Sequence, residues 1–259
     1  MPARDIDLLI DVARAAGRIA ERHWKSALDI WDKPGGAGPV TAADLEVNRM
    51  MAAELRTARP DYGWLSEETE DTPERLDADR VFIIDPIDGT RAFINGEKNF
   101  SHSLAVAENG VVVAAVVYVP MLDALYSATA GEAAQQNGEV IKVCPTNPDT
   151  AQILSTKANF IPENWPGGVP EVKRHFRSSL AYRLCLVADG QFDGMLTLRD
   201  TWEWDVAAGS LIVAQAGGFV TDRQGAGPRF NSPRPMLRGI VAAEPDLHAD
   251  LTRRLRPVA

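Results

Sequence analysis

The chain has 259 residues, 45% hydrophobic and 24% charged, which excludes a largely disordered, collagen-like or low-complexity protein and suits one or two globular domains. Lys and Arg number 27 against 36 Asp and Glu, a net charge of −9, so no basic face is expected for non-specific nucleic-acid binding. The longest apolar run, Val111–Val119, falls far short of the ~20 residues that span a bilayer.

Asp5, Asp7 and Asp11 stand where a secretory leader would be basic and then apolar. Cys144 and Cys185 are the only two cysteines, too few for a disulfide framework, and both read as buried small hydrophobes. The expectation is a soluble, cytoplasmic protein with neither a nucleic-acid nor a membrane partner. An amphipathic helix comes first. Ile6, Leu9, Ile10, Ala13, Ala16, Gly17 and Ala20 recur at helical spacing as far as about Trp24, ahead of a loop at Lys33–Pro39. Thr41-Ala42-Ala43-Asp44 is a capping-box start for a second helix, with Val47, Met50, Met51 and Leu55 on its apolar face and Pro60 beyond its end. Val81–Ile84 is a strand ending at Asp85. Ser103–Ala107 and Val111–Val119 flank Asn109-Gly110; Ala124–Ala128 follows, and Asn137-Gly138 precedes Val140–Val143. Asn-Gly pairs signal hairpins, and consecutive hairpins make an antiparallel sheet.

Past about residue 150 the character changes. Strands at Ile153–Ser155, Met195–Leu198, Phe219–Thr221 and Ile240–Ala243 alternate with helices at Leu180–Ala188, Trp204–Ala216 and about Pro245–Leu255. That alternation predicts a more parallel second sheet, and two units, 1–150 and 151–259.

The chemistry concentrates in Val81-Phe-Ile-Ile-Asp85-Pro-Ile-Asp88-Gly-Thr90. An apolar strand delivers two carboxylates at its end, Pro86 stiffens the turn, and Gly89 lets a ligand approach. A short helix from Gly89-Thr90 would offer free N–H groups to an anion. Carboxylates beside an anion site suit Mg²⁺ or Mn²⁺ better than zinc. Turn and cap duties would also explain Asp85 and Asp88. Two further acidic clusters shift the balance: Leu65-Ser66-Glu67-Glu68, and Trp202-Glu203-Trp204-Asp205-Val206-Ala207-Ala208-Gly209, where Asp205 could equally cap a helix.

Together these pieces resemble the Mg²⁺-dependent, lithium-sensitive phosphomonoesterase superfamily that includes inositol monophosphatase and 3′(2′),5′-bisphosphate nucleotidase. Its Glu-Glu pair, Asp-Pro-x-Asp-Gly-Thr element and Trp-Asp-x-Ala-Ala-Gly element correspond to Glu67-Glu68, Asp85–Thr90 and Trp204–Gly209. The resemblance spans about residues 5–245. Haloacid-dehalogenase phosphatases place their two Asp residues two apart; here they are three apart, and no phospho-aspartyl intermediate is expected.

The resemblance implies an α/β layered sandwich (α-β-α-β-α) with an antiparallel sheet in the first half and a mixed, mostly parallel sheet in the second, the site lying between them. It implies two or three Mg²⁺, replaceable by Mn²⁺, on Glu67, Asp85, the Ile87 carbonyl, Asp88 and Asp205, with phosphate on the N–H groups of Gly89 and Thr90. A metal-activated water would attack in line, positioned by Thr90, which Asp44 would orient; helix capping is the other reading of Asp44. Ser178-Ser179 would contact the leaving group or cap a helix. The resemblance also implies a homodimer, a common state of such proteins.

Inositol-specific members carry a glutamate seven residues before the last metal Asp; here that position is Leu198. Leu65–Glu68, Arg91–Ile94, Val117–Pro120 and Ser178–Leu180 look closer to the bacterial nucleotidases, and Ala130–Gly138 to the inositol branch. The preferred substrate is therefore a 3′(2′),5′-bisphosphate nucleotide, with inositol 1-phosphate as the alternative, then fructose 1,6-bisphosphate or a catalytically silent regulator. Gly35-Gly36-Ala37-Gly38 lacks the fingerprint spacing of a dinucleotide enzyme.

Overall fold

The computed structural model describes residues 4–26, 29–32, 38–145 and 150–255. Helix α1 (Asp5–His23) buries the stripe Leu9, Val12, Ala13, Ala16 and Ala20. Strands β1 (Ile30–Asp32) and β2 (Pro39–Thr41) pair antiparallel, and most of the loop expected at Lys33–Pro39 lies outside the described residues. Helix α2 (Ala42–Ala58) starts in the capping box, Thr41 and Asp44 each satisfying the other's backbone N–H.

The first sheet runs in chain order: β3 (Gly63–Ser66), β4 (Arg80–Asp88), β5 (Ser101–Glu108), β6 (Val111–Val119), β7 (Ala124–Thr129), β8 (Gln135–Gln136) and β9 (Glu139–Val140). Every pairing is antiparallel except β3 with β4. Helix α3 (Thr90–Ile94) joins β4 to β5. Asn109 and Asn137 both have φ near 50° ahead of left-handed Gly110 and Gly138, the backbone that two-residue hairpins require.

The second sheet contains β10 (Gln152–Leu154), β11 (Lys173–His175), β12 (Gly194–Thr197), β14 (Phe219–Thr221) and β16 (Ile240–Ala243), in the order β11-β10-β12-β16-β14. Strand β10 is parallel to β11 and β12, while β16 is antiparallel to β12 and β14. The sheet is mixed and more parallel than the first. A separate pair, β13 (Thr201–Trp202) and β15 (Met236–Leu237), is antiparallel. Helices α4 (Leu180–Ala188), α5 (Glu203–Gln215) and α6 (Pro245–Leu255) complete the chain.

Alternation along the strands builds five layers. Phe82 and Ile84 of β4, with Leu104 and Val106 of β5, pack on α1 and α2. Their neighbours Val81, Ile83, Ala105 and Ala107 face α4 and α5. Beneath those helices lie Leu154, Met195 and Ala242 of the second sheet. Its other face, Ile153, Leu196 and Val241, meets Leu247 and Leu251 of α6. Both faces of both central sheets are covered, so their strands read as unbroken apolar runs instead of alternating ones.

Three local expectations need correction. Cys144 is exposed, and only Cys185 is buried. The strand after Asn137-Gly138 is two residues, Glu139–Val140. Helix α5 is capped by Trp202 and begins at Glu203, which puts Asp205 inside its first turn and not at the cap. No described helix is long and apolar enough to cross a membrane.

Candidate metal centre and active site

Strand β4 keeps register with β5 up to Asp85 opposite Ser103, and the next pair is Asp88 opposite Ser101. Two residues, Pro86 and Ile87, therefore face one, His102. This is a β-bulge. In a regular strand, residues three apart point to opposite faces; the extra residue brings Asp85 and Asp88 to the same side. Asp205 reaches that side from the first turn of α5. Ligand oxygens of Asp85, Asp88 and Asp205 lie within 4.8 Å of one another.

Glu67 stands at the end of β3, where its N–H donates to the Ile84 carbonyl at 3.2 Å. The parallel pairing places it beside Asp85, and its charge acts on both Asp85 and Asp205. Asn48, one helical turn after Asp44, steadies this corner. Its amide donates to the Glu68 carbonyl at 3.1 Å and to Thr69 Oγ1 at 3.0 Å, and its oxygen accepts from Ser66 Oγ at 2.8 Å.

Asp88 is gripped by the start of α4. Its Oδ2 accepts from Ser179 Oγ at 2.5 Å and from the Ala181 N–H at 2.7 Å. Ser179 Oγ also caps α4 by accepting from the Tyr182 N–H at 2.9 Å, and lies 3.0 Å from Ser101 Oγ. With no exposed surface, that hydroxyl positions Asp88; the leaving-group contact expected for Ser179 is corrected, because its bonds are spent inside the protein. Ser178 is half-buried, its carbonyl 3.4 Å from Arg183 Nη2.

Burial first, and then repulsion from Glu67, Asp88 and Asp205, pushes the Asp85 carboxyl well above the usual range. Asp205 is raised by burial and then by Asp88 and Glu67. Asp88 is raised to about 6 because burial outweighs the hydrogen bonds from Ser179, Ala181 and Leu180. Asp85 Oδ1 is buried with no hydrogen-bond partner among the described residues. A cation would neutralise the clustered acids and meet the orphaned oxygen, and an all-oxygen donor set fits a hard divalent ion.

Asp44 caps its helix and also contacts Thr90. Its Oδ2 accepts from the Thr41 N–H at 2.9 Å and from Thr41 Oγ1 at 2.5 Å, while Oδ1 accepts from Thr90 Oγ1 at 3.4 Å. The Thr90 hydroxyl is also 3.2 Å from the Ile87 carbonyl. The Ile87 side chain is anchored in a small cluster with Phe93 and Phe100. Gly89 has φ +94°, and a Cβ there would lie 3.4 Å from the Ser179 nitrogen; the turn into α3 needs glycine.

Arg183 and His102 escaped sequence reading. Arg183 is 5% exposed, its Nε donates to the Arg177 carbonyl at 2.5 Å, and its guanidinium lies over Phe176 at 4.5 Å. Burial lowers it to about 10 against attraction from Asp88. Burial also pushes His102 down to about 4. A polar residue on the buried face of an apolar element was the available signal for His102 and Asn48.

The inositol monophosphatase family model matches residues 2–258. This chain belongs to that family. A fructose-1,6-bisphosphatase/inositol-1-monophosphatase of Thermotoga maritima is 36% identical over 226 residues, covering 85% of each chain. The 3′(2′),5′-bisphosphate nucleotidase CysQ of Escherichia coli is 32% identical, over 85% of this chain and 91% of its own. The crystal structure of the extragenic suppressor protein suhB from Bartonella henselae matches with a TM-score of 0.82 and 29% identity, over 98% of each chain. The layered fold is that of these relatives, and the chain is a phosphatase.

Proposed function

We propose that this phosphatase is a Mg²⁺-dependent phosphomonoesterase whose substrate is a 3′(2′),5′-bisphosphate nucleotide. The convergence of Asp85, Asp88 and Asp205 within 4.8 Å carries the metal-dependent reading. Glu67, these three carboxylates and the Ile87 carbonyl would hold the cation. Mg²⁺, with Mn²⁺ as substitute, supplies Lewis acidity toward water and phosphoryl oxygens.

The chain's own residues do the rest. The N–H groups of Gly89 and Thr90 face the phosphate. Thr90 orients the attacking water and takes its proton as it passes its own to Asp44 Oδ1. The 3.4 Å separation of Thr90 and Asp44 is in keeping with catalytic hydrogen bonds that tighten when substrate binds.

One observation counts against an inositol hydroxyl contact and another supports a second anionic group on the substrate. Leu198 is buried in the outer core, so no acceptor for a sugar hydroxyl stands at that position. Arg199 acts on Asp205 and Arg183 acts on Asp88, which puts positive charge near the acids. The test is the kcat/KM ratio for 3′-phosphoadenosine 5′-phosphate, inositol 1-phosphate and fructose 1,6-bisphosphate. The first is expected to lead, and faster turnover of inositol 1-phosphate overturns the substrate assignment. The 36% identity to the Thermotoga enzyme favours that second reading.

A further inference from the structure

Strand β5 carries three consecutive polar residues, Ser101-His102-Ser103, all essentially without exposed surface. They open a strand whose later positions, Leu104–Ala107, are apolar and buried. Burying three polar side chains in an otherwise apolar strand is costly unless each is satisfied to some purpose.

Each reaches a different part of the metal centre. Ser101 Oγ lies 3.0 Å from Ser179 Oγ, which grips Asp88. Ser103 Oγ donates to the Trp204 carbonyl at 3.0 Å, one residue before Asp205. His102 Nδ1 lies 2.5 Å from the Pro86 carbonyl, between Asp85 and Asp88. A carbonyl only accepts, so Nδ1 carries the ring proton. Nε2 is then a buried acceptor, and it has no hydrogen-bond partner among the described residues. An unmet buried acceptor costs about 1–3 kcal/mol, and a valine here would avoid that cost. The histidine therefore makes poor sense as packing.

We infer that Ser101-His102-Ser103 is a brace for the metal centre, with His102 as its central positioning residue: the imidazole N–H clamps the β4 bulge so that Asp85 and Asp88 share one side. The bulge leaves the Pro86 carbonyl outside the regular β4–β5 ladder. Without a donor on that carbonyl the bulge can relax toward regular pairing, which would turn one of the two carboxylates away. Ser101, through Ser179, and Ser103, through the Trp204 carbonyl, tie the starts of α4 and α5 to the same strand. The inference rests on the metal-dependent reading above.

The test uses the full-length, metal-free protein and Mn²⁺ as the probe, titrated by calorimetry and by the loss of the free Mn²⁺ EPR signal. His102→Val is expected to weaken Mn²⁺ binding by roughly 10–100-fold, the range for groups that orient metal ligands, without lowering the metal-free melting temperature. His102→Asn, which can place an amide N–H near the Nδ1 position, is expected to retain most of the affinity. Ser103→Ala, a smaller change, is expected to weaken Mn²⁺ binding in the same direction, and covers the case in which His102→Val does not fold. Wild-type affinity in both His102→Val and Ser103→Ala overturns the brace alone. So does an equal loss in His102→Val and His102→Asn. Failure of the wild type to bind Mn²⁺ overturns the metal reading and the brace with it.

Discussion

Replacing Asp44 by asparagine separates the capping role of this carboxylate from the role proposed for it toward Thr90. Oδ2 serves the capping box with Thr41, at 2.9 Å to its N–H, and Oδ1 faces Thr90 Oγ1 at 3.4 Å. Asparagine has one oxygen to offer. Turning its amide nitrogen toward Thr41 would leave a buried N–H without an acceptor, a cost of about 1–3 kcal/mol. The oxygen therefore stays at the cap, and the amide nitrogen, a donor, faces Thr90. The Thr90 proton is then left with the Ile87 carbonyl, 3.2 Å away, and cannot move to Asp44 as the water is deprotonated.

Loss of that relay should lower kcat by roughly 10²–10⁴, the usual worth of general acid–base assistance. The retained cap should limit the stability loss to about 1 kcal/mol, or about 2–4 °C in Tm for a chain of this size. Thr90→Ala should give a similar kcat loss, and the double variant should be no worse than the worse single, because groups acting as a unit are not additive. The assay is phosphate release at saturating substrate, with calorimetry on each variant. A near-normal kcat in folded Asp44→Asn refutes the relay, and multiplicative losses mean that the two residues act separately.

Three other outcomes follow from the same geometry. Chelation with EDTA should abolish phosphate release and added Mg²⁺ should restore it; full turnover in EDTA refutes the metal reading. Raised carboxyl values in Asp85, Asp88 and Asp205 mean that these groups hold protons longer in the folded chain than in the unfolded one, so their contribution is complete below about pH 4 and is lost as pH rises through the folded values, near 6 for Asp88. Metal-free wild type should therefore lose more stability than Asp85→Asn between about pH 5 and pH 8 in urea titrations. The opposite slope from buried neutral His102 cancels in that difference, and parallel curves count against it. Gly209→Ala should destabilise the protein although alanine is the better helix former by about 1 kcal/mol, because the new Cβ would lie 2.5 Å from Leu184 Cδ1 and overpacking costs about 1–3 kcal/mol. A higher Tm in that variant would show that α4 and α5 can separate there.

Local rules were enough for much of this protein. The apolar runs of β4 and β6, the Asn-Gly turns, the Thr41–Asp44 box and the three acidic motifs are visible in the chain because each depends on neighbours a few residues away. Short β3 was not visible: four residues, Gly63–Ser66, become a strand only by pairing with β4. That pairing is also what sets Glu67 beside Asp85. The acids of the cluster are visible in the sequence, but the bulge that turns Asp85 and Asp88 to one side is a register choice made with β5, and its opposing residue His102 is 14 positions past Asp88. Ser179 looked like a substrate contact because sequence shows a hydroxyl and not its enclosure by Asp88, Ser101 and the α4 backbone. Secondary structure and donor chemistry are short-range properties of this chain. Orientation, burial and the raised carboxyl values are set by groups that meet only after α4 and α5 pack against the first sheet, because proximity across the fold, unlike periodicity along it, leaves no mark in the order of residues.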